Sequence, residues 1–103
     1  MSYRRFYRRR FLNRPRHHAG SYVLADCSIE SYRNGPEISA DLTIADCGRI
    51  ASLNFNGWDK VSTANSLAKA RALRAVVNEF CDALEAAAVE VQARREAGDN
   101  KNA

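Results

Sequence analysis

The chain has few of the residues that interrupt or cross-link a fold, with two prolines, five glycines and three cysteines among 103 residues. It also lacks any apolar run near the roughly 20 residues that span a bilayer. Its first ten residues are charged and have no apolar core of the kind found in secretory signals. We therefore expect one cytoplasmic domain with a modest core and no contact with a membrane.

The cysteines do not suggest a disulfide framework or a metal site. Cys27, Cys47 and Cys81 are odd in number and form no CxxC pair. A zinc site that combined them with His17 or His18 would lack the usual ligand spacing. We expect three small buried thiols, no metal and no cofactor.

Motifs of catalysis are missing as well. The sequence contains no GxSxG, no HExxH, no P-loop and no glycine-rich phosphate turn. Carboxylates occur in pairs, but they fall on the polar positions of alternating segments, where solvated charges are the ordinary case. We therefore predict that the protein is not an enzyme. The carboxylates concerned are Asp26, Glu30, Asp41 and Asp46.

Positive charge is concentrated at one end of the chain. The net charge is +4, yet residues 1–20 hold seven arginines and no acid, while residues 21–103 have a balance of −3. Pro15 and Gly20 separate this segment from the rest of the chain, so residues 1–20 are interpreted as a basic arm. Arginines beside aromatic residues bind phosphates and stack on bases. The alternatives are a disordered extension and an arm that docks on a neighbouring subunit. The candidate nucleic-acid-binding residues are Arg4, Arg5, Arg8, Arg9, Arg10 and Arg14.

Three segments alternate between apolar and polar residues with a period of two, which is typical of strands with one buried face. They cover residues 21–32, 38–44 and 51–56. Asn34-Gly35 favours a turn with positive φ at both positions, and residues 46–48 turn the chain again. Two short connections between three strands predict an antiparallel β-meander.

A long helix is predicted to follow the meander. Residues 64–97 contain no glycine or proline and are rich in Ala, Leu, Arg and Glu. Ser62 or Thr63 can cap its start, and Gly98 is expected to end it. The predicted fold is α+β: a three-stranded antiparallel meander and one long C-terminal helix over residues 21–98, a basic arm over 1–20, and a disordered tail over 99–103.

The length of this helix favours self-assembly. About 34 residues span roughly 50 Å as a helix, whereas a ten-residue strand spans at most about 33 Å. The stripe from Leu67 to Phe80 is expected to pack on the chain's own sheet. The remainder is expected to form a coiled-coil contact in a homodimer or a dimer-based hexamer. The seam follows a 3-4 spacing through Ala70, Leu73, Val77, Phe80, Leu84, Ala87 and Val91.

Polar and aromatic residues cluster where the last strand meets the helix. A helix N-terminus binds anions through free backbone N–H groups, and an aromatic ring there can stack on a base. Phe55 has core packing beside Leu53 as its alternative role. The candidate residues for a phosphate-bearing ligand are Phe55, Trp58, Asn65, Arg49, Arg71 and Arg74.

The segment EISADLTIADCGRIASLNFN (residues 37–56), followed by STAN (residues 62–65) and the long helix, resembles the phage Thoeris anti-defence sponge family. The resemblance covers residues 22 to about 95. It implies a small oligomer in the host bacterial cytoplasm that sequesters cyclic ADP-ribose isomers, and in some members cyclic oligonucleotides, without cleaving them. Phe55 and Asn65 match the family's ligand-binding aromatic and asparagine, whereas Asp82 and Ala86 stand where helix arginines would grip the diphosphate. Arg49 and Arg71 are therefore the expected phosphate contacts.

Overall fold

The computed structural model describes residues 3–101, and their side chains as far as residue 99. An antiparallel sheet of four strands in the order β1-β2-β3-β4 precedes one long helix, so the predicted α+β class is confirmed. The sheet has one strand more than predicted. The elements are β1 (Tyr3–Phe11), β2 (Tyr22–Tyr32), β3 (Gly35–Asp46), β4 (Arg49–Asn54) and α1 (Lys60–Lys101).

The additional strand is the basic segment, which was predicted as an arm outside the fold. It pairs with β2 from Tyr3↔Ile29 to Phe11↔Tyr22, with one irregularity at Arg5. Arginine and aromatic residues follow each other there without a glycine or proline, and aromatic residues favour strands. The charge of this segment favoured an arm, whereas its aromatic residues were the signal for a strand. All nine residues of β1 are exposed, and a charged edge strand discourages pairing with other chains.

The two hairpins of the predicted meander differ in geometry. Around residues 33–36, positive φ occurs at Gly35 (+119°) and not at Asn34, so the expected turn with two positive φ values is wrong there. That geometry occurs instead between Asp46 and Arg49. Cys47 (φ 49°) and Gly48 (φ 81°) both have positive φ, as a two-residue type I′ turn requires.

The cysteines are free and less buried than predicted. Cys27 is half-buried, whereas Cys47 in the turn and Cys81 on the helix are exposed. The turn places Cys47 at the tip of a hairpin, where no element covers it.

Strand register gives the sheet two different faces. The row Phe6–Cys27–Ala40 lies on the apolar face, which is nearest the start of α1. The neighbouring row of Asp26, Asp41 and Asn54 lies on the other face, which we call the open face. Little of the fold is fully enclosed. Ala45, at 2% exposure, is the sole hydrophobic residue classed as buried among those described.

The helix begins four residues earlier than predicted and is capped by Asp59 rather than by Ser62 or Thr63. The Asp59 carboxylate accepts a hydrogen bond from the Ser62 N–H at 2.7 Å, and the Ser62 hydroxyl accepts one from the Asp59 N–H at 3.1 Å. This reciprocal pair forms a capping box. The hydrogen bonds from the Ser62 backbone and side chain lower the pKa of Asp59 below its ordinary value.

Gly98 does not end the helix, which continues to Lys101. The prediction of a disordered tail from residue 99 is therefore wrong for residues 99–101, and residues 102–103 lie outside the described residues. A glycine inside a helix costs only about 1 kcal/mol relative to alanine, which the favourable residues before it offset.

The chain divides into two compact units, one reaching Ala70 and the other beginning at Arg71. The first holds the sheet and the start of α1, and the second consists of the remaining helix.

No helix in the described part of the chain is long and apolar enough to cross a membrane. In the stripe predicted to pack on the sheet, Leu67, Val77 and Phe80 are 47%, 46% and 62% exposed, and Leu73 is half-buried.

Candidate functional site

The junction between β4 and α1 is a tight connection held by backbone hydrogen bonds. The Phe55 N–H donates to the Ala40 carbonyl at 2.8 Å. Gly57 and Ile38 then exchange two hydrogen bonds of 3.0 and 2.7 Å. A Cβ added to Gly57 would lie 2.4 Å from the Thr63 hydroxyl oxygen. Glycine therefore allows the first turn of the helix to approach the strand end closely.

The asparagines of this corner support the connection. Asn56 Oδ1 accepts the Ala40 N–H at 2.9 Å, and the Asn56 carbonyl accepts the Ser66 hydroxyl at 2.6 Å. Asn54 Oδ1 accepts the Asn56 N–H at 3.1 Å, while its Nδ2 donates to Asp41 at 3.0 Å. These amides hold the strand end against the helix start, and both ends of the Asn54 amide are already engaged.

Phe55 is half-buried and lines a cavity of about 280 Å³ between the apolar face and the first turns of α1. The Lys69 ammonium lies 4.8 Å from the centroid of the Phe55 ring and donates to the Asn54 carbonyl at 2.7 Å. Sequence analysis missed Lys69, although a cation four residues after Asn65 on a helix was a usable signal. The side of the cavity opposite Phe55 includes Phe6, and its floor includes Cys27 and Ala40.

Trp58 is 63% exposed and borders a different, larger groove of about 610 Å³. Pro36, Ile38 and Leu67 also line this groove. Because Phe55 does not line it, the two aromatic candidates belong to separate concavities rather than to one aromatic pocket.

The remaining candidates for the nucleotide site are dispersed. Asn65 is exposed and lines neither concavity. Arg49 is the first residue of β4, at the hairpin end. At 3.3 Å per residue along the strand, its backbone lies about 20 Å from that of Phe55. Arg71 and Arg74 are exposed residues of the helical unit. Within the first unit, the structure thus brings Phe55 to a cavity without the arginines expected beside it.

Arginines of β1 are divided between the two faces of the sheet. On the open face, the Arg4 guanidinium lies 4.5 Å from the Tyr7 ring and 3.7 Å from Asp26. Arg9 lies 5.3 Å from the Phe11 ring and 5.4 Å from the Tyr22 ring.

The other predicted nucleic-acid-binding residues do not join this group. Arg8 lies 5.6 Å from the Phe6 ring on the apolar face, and Arg10 opposes Val23 on that face. Arg5 occupies the irregularity in β1, and Arg14 lies in the loop before β2. Four of the six arginines are therefore divided between the two faces of the sheet, two on each, instead of belonging to one arm.

Metal ligands are not clustered: among the described residues, no three His, Cys, Asp or Glu side chains are grouped to hold an ion. In comparisons with protein-family models, curated proteins and solved structures, no match to the chain was found. The resemblance to the sponge family stays a prediction.

Proposed function

We propose that the protein is a sponge for cyclic nucleotide immune signals, which binds cyclic ADP-ribose isomers or related cyclic oligonucleotides and sequesters them without cleavage. The observation that supports this most is the half-buried Phe55 ring at a cavity, with the Lys69 ammonium 4.8 Å from its centroid. A nucleotide combines a flat base with phosphates. In the pair of Phe55 and Lys69, the ring can stack on the base and the ammonium can contact a phosphate.

The environment of the pair favours binding of an anion. The Lys69 side chain is oriented by its 2.7 Å hydrogen bond to the Asn54 carbonyl, so its charge is fixed beside the ring. The Asp41 carboxylate is engaged by Asn54 on the open face and does not neutralise Lys69. Charge-assisted hydrogen bonds to phosphate are among the stronger polar contacts in proteins.

Self-association through the helix is part of the proposal. Phe80, Leu84 and Val91 are 62%, 57% and 42% exposed and share the predicted seam. Exposed apolar residues at a 3-4 spacing are typical of a coiled-coil surface. A second copy would cover them, in a homodimer or a dimer-based hexamer.

A thermal-shift panel with cyclic ADP-ribose isomers and cyclic di- and trinucleotides tests the proposed function. A ligand at 100 times its dissociation constant stabilises the fold by about 2.7 kcal/mol. We expect one compound to raise the melting temperature and to be recovered chemically unchanged. Phe55→Ala should abolish the shift, whereas Trp58→Ala should preserve it because Trp58 lines the other groove. No shift with any compound would refute the proposal.

Nucleic-acid binding is the second candidate, and the arginine–aromatic pairs of the open face favour it. Arg4 with Tyr7, and Arg9 with Phe11 and Tyr22, combine cations with rings on one surface, as proteins that bind single strands do. Binding of a single-stranded oligonucleotide should then weaken steeply with salt. Arg4→Ala combined with Arg9→Ala should reduce both the affinity and the salt dependence. Affinity independent of salt would contradict this candidate.

A further inference from the structure

The cavity beside Phe55 has a second aromatic–cation pair on its opposite side. Phe6 on β1 pairs with Cys27 on β2, and Cys27 pairs with Ala40 on β3. Ala40 in turn accepts the N–H of Phe55. The four residues therefore form one cross-strand row, with an aromatic ring at each end and two small side chains between them.

This row explains the shape of the cavity. Three strand spacings of about 4.8 Å place the backbones of Phe6 and Phe55 about 14 Å apart. The thiol of Cys27 and the methyl group of Ala40 leave the space between the rings open, and Leu67 and Ala70 of the helix border it. The volume of about 280 Å³ is just below the range typical of drug-sized ligands. It suits one ring system, with any larger group left outside.

Each aromatic ring has a cation beside it. The Arg8 guanidinium lies 5.6 Å from the Phe6 centroid, and the Lys69 ammonium lies 4.8 Å from the Phe55 centroid. Arg8 follows Phe6 by two residues, so both side chains project from the same face of β1. Positive charge therefore lies next to each of the two rings.

Carboxylates do not neutralise this side of the sheet at the cavity. Asp26 and Asp41 are among the residues that line the cavity, but the strand register places their side chains on the open face. There, Asp26 contacts Arg4 and Ser28, and Asp41 accepts a hydrogen bond from Asn54. An apolar slot between two cations is complementary to a ligand with a flat ring and negative groups on either side of it.

We infer that Phe6 and Arg8 are binding residues for the proposed nucleotide, and that Arg8 and Lys69, rather than Arg49 and Arg71, contact its phosphates. The base lies in the slot between Phe6 and Phe55. This inference rests on the proposed function and names the other half of the same site. It also gives one segment of the basic strand a role at the Phe55 cavity.

Calorimetric titration with cyclic ADP-ribose, and with adenosine as a probe without phosphate, tests the inference. Arg8→Ala and Lys69→Ala should each weaken cyclic ADP-ribose binding about tenfold, as expected for loss of one exposed charge-assisted contact. Neither should change adenosine binding by more than about twofold. Phe6→Leu, which keeps an apolar side chain at this exposed position, should weaken both probes because stacking is lost.

Arg33→Ala is the matched control, since Arg33 lies in the turn between β2 and β3 and loses the same charge. If Phe55→Ala abolishes binding while Arg8→Ala and Phe6→Leu match Arg33→Ala, the inference is wrong and the proposed function stands. If the wild-type protein binds neither probe nor any compound of the thermal-shift panel, the proposed function fails and the inference fails with it. Equal weakening by Arg8→Ala and Arg33→Ala would indicate long-range attraction only and would also overturn the inference.

Discussion

Gly57→Ala should destabilise the protein through a single steric conflict at the start of the helix. The new Cβ would lie 2.4 Å from Thr63 Oγ1, 3.0 Å from Thr63 Cα and 3.1 Å from Thr63 Cβ. Ordinary contacts of a Cβ atom begin near 3.4 Å, so the Thr63 hydroxyl must move and the first turn of α1 must shift by a few tenths of an ångström. Rotation about χ1 of Thr63 can move the hydroxyl, but it cannot relieve the contacts with Thr63 Cα and Cβ.

The backbone at Gly57 is also held in place and cannot easily move away from the helix. Gly57 is buried and exchanges hydrogen bonds of 3.0 and 2.7 Å with Ile38. Overpacking of this kind costs about 1–3 kcal/mol. At about 2 kcal/mol, a domain of this size should lose roughly 8–16 °C in melting temperature.

Thermal unfolding followed by circular dichroism, at equal protein concentrations, measures this loss. Gly98→Ala is the matched control, because the same change inside the helix meets no atom within 4 Å and should raise stability by up to about 1 kcal/mol. Adding Thr63→Ala should recover part of the loss from Gly57→Ala, since it removes the closest contact. A melting temperature for Gly57→Ala equal to that of the wild type would refute the close approach.

Three further outcomes are expected. Asp59 has a lowered pKa, so its contribution to stability is complete above the ordinary pKa of an aspartate, about 3.9, and is lost as the pH falls through its lower folded value. Asp59→Asn should keep the cap but flatten the acid end of the stability profile, and an unchanged profile in a melting series from neutral to acid pH would contradict this. Leu84→Asp with Val91→Asp should reduce the mass in light scattering to that of one chain, because charges replace exposed seam residues; an unchanged mass would exclude this seam. Arg10→Pro, on β1, should remove the N–H that pairs with Val23 and weaken or abolish the strand, while amide hydrogen exchange in β3 stays slow; fast exchange throughout would indicate that β1 is essential to the sheet.

Sequence reasoning located the meander and the helix because alternation and the absence of breakers are local signals. It failed at the basic segment, where seven arginines suggested a solvated arm and the aromatic residues between them were not taken to indicate a strand. It also missed the cap, since Asp59-x-x-Ser62 follows a glycine and a tryptophan and the pattern of Ala and Leu starts later. Capping depends on two side chains meeting, which spacing alone does not show.

The candidate site was predicted in part. Phe55 lies at a cavity, but its partners Phe6 and Lys69 come from β1 and from the early turns of the helix. Their proximity depends on strand register and on how α1 approaches the apolar face, neither of which is encoded in local spacing. The arginines predicted to contact phosphates were selected by charge and by proximity in sequence. Proximity in sequence is misleading here, because Arg49 lies at the end of β4 that is far from Phe55.

The position of β1 at the edge of the sheet makes the charge of the protein separable from its scaffold. Every strand pairs with its neighbour in sequence, and β1 contributes to a single ladder, so β2, β3 and β4 would keep their mutual hydrogen bonds without it. Residues 1–20 carry a charge of +7 and the rest of the chain −3, which together give the net charge of +4. Replacement of residues 1–20 by an uncharged segment would thus change the net charge from +4 to −3 and leave the central ladders intact. A fold built in this order can change its attraction to polyanions through a peripheral segment alone.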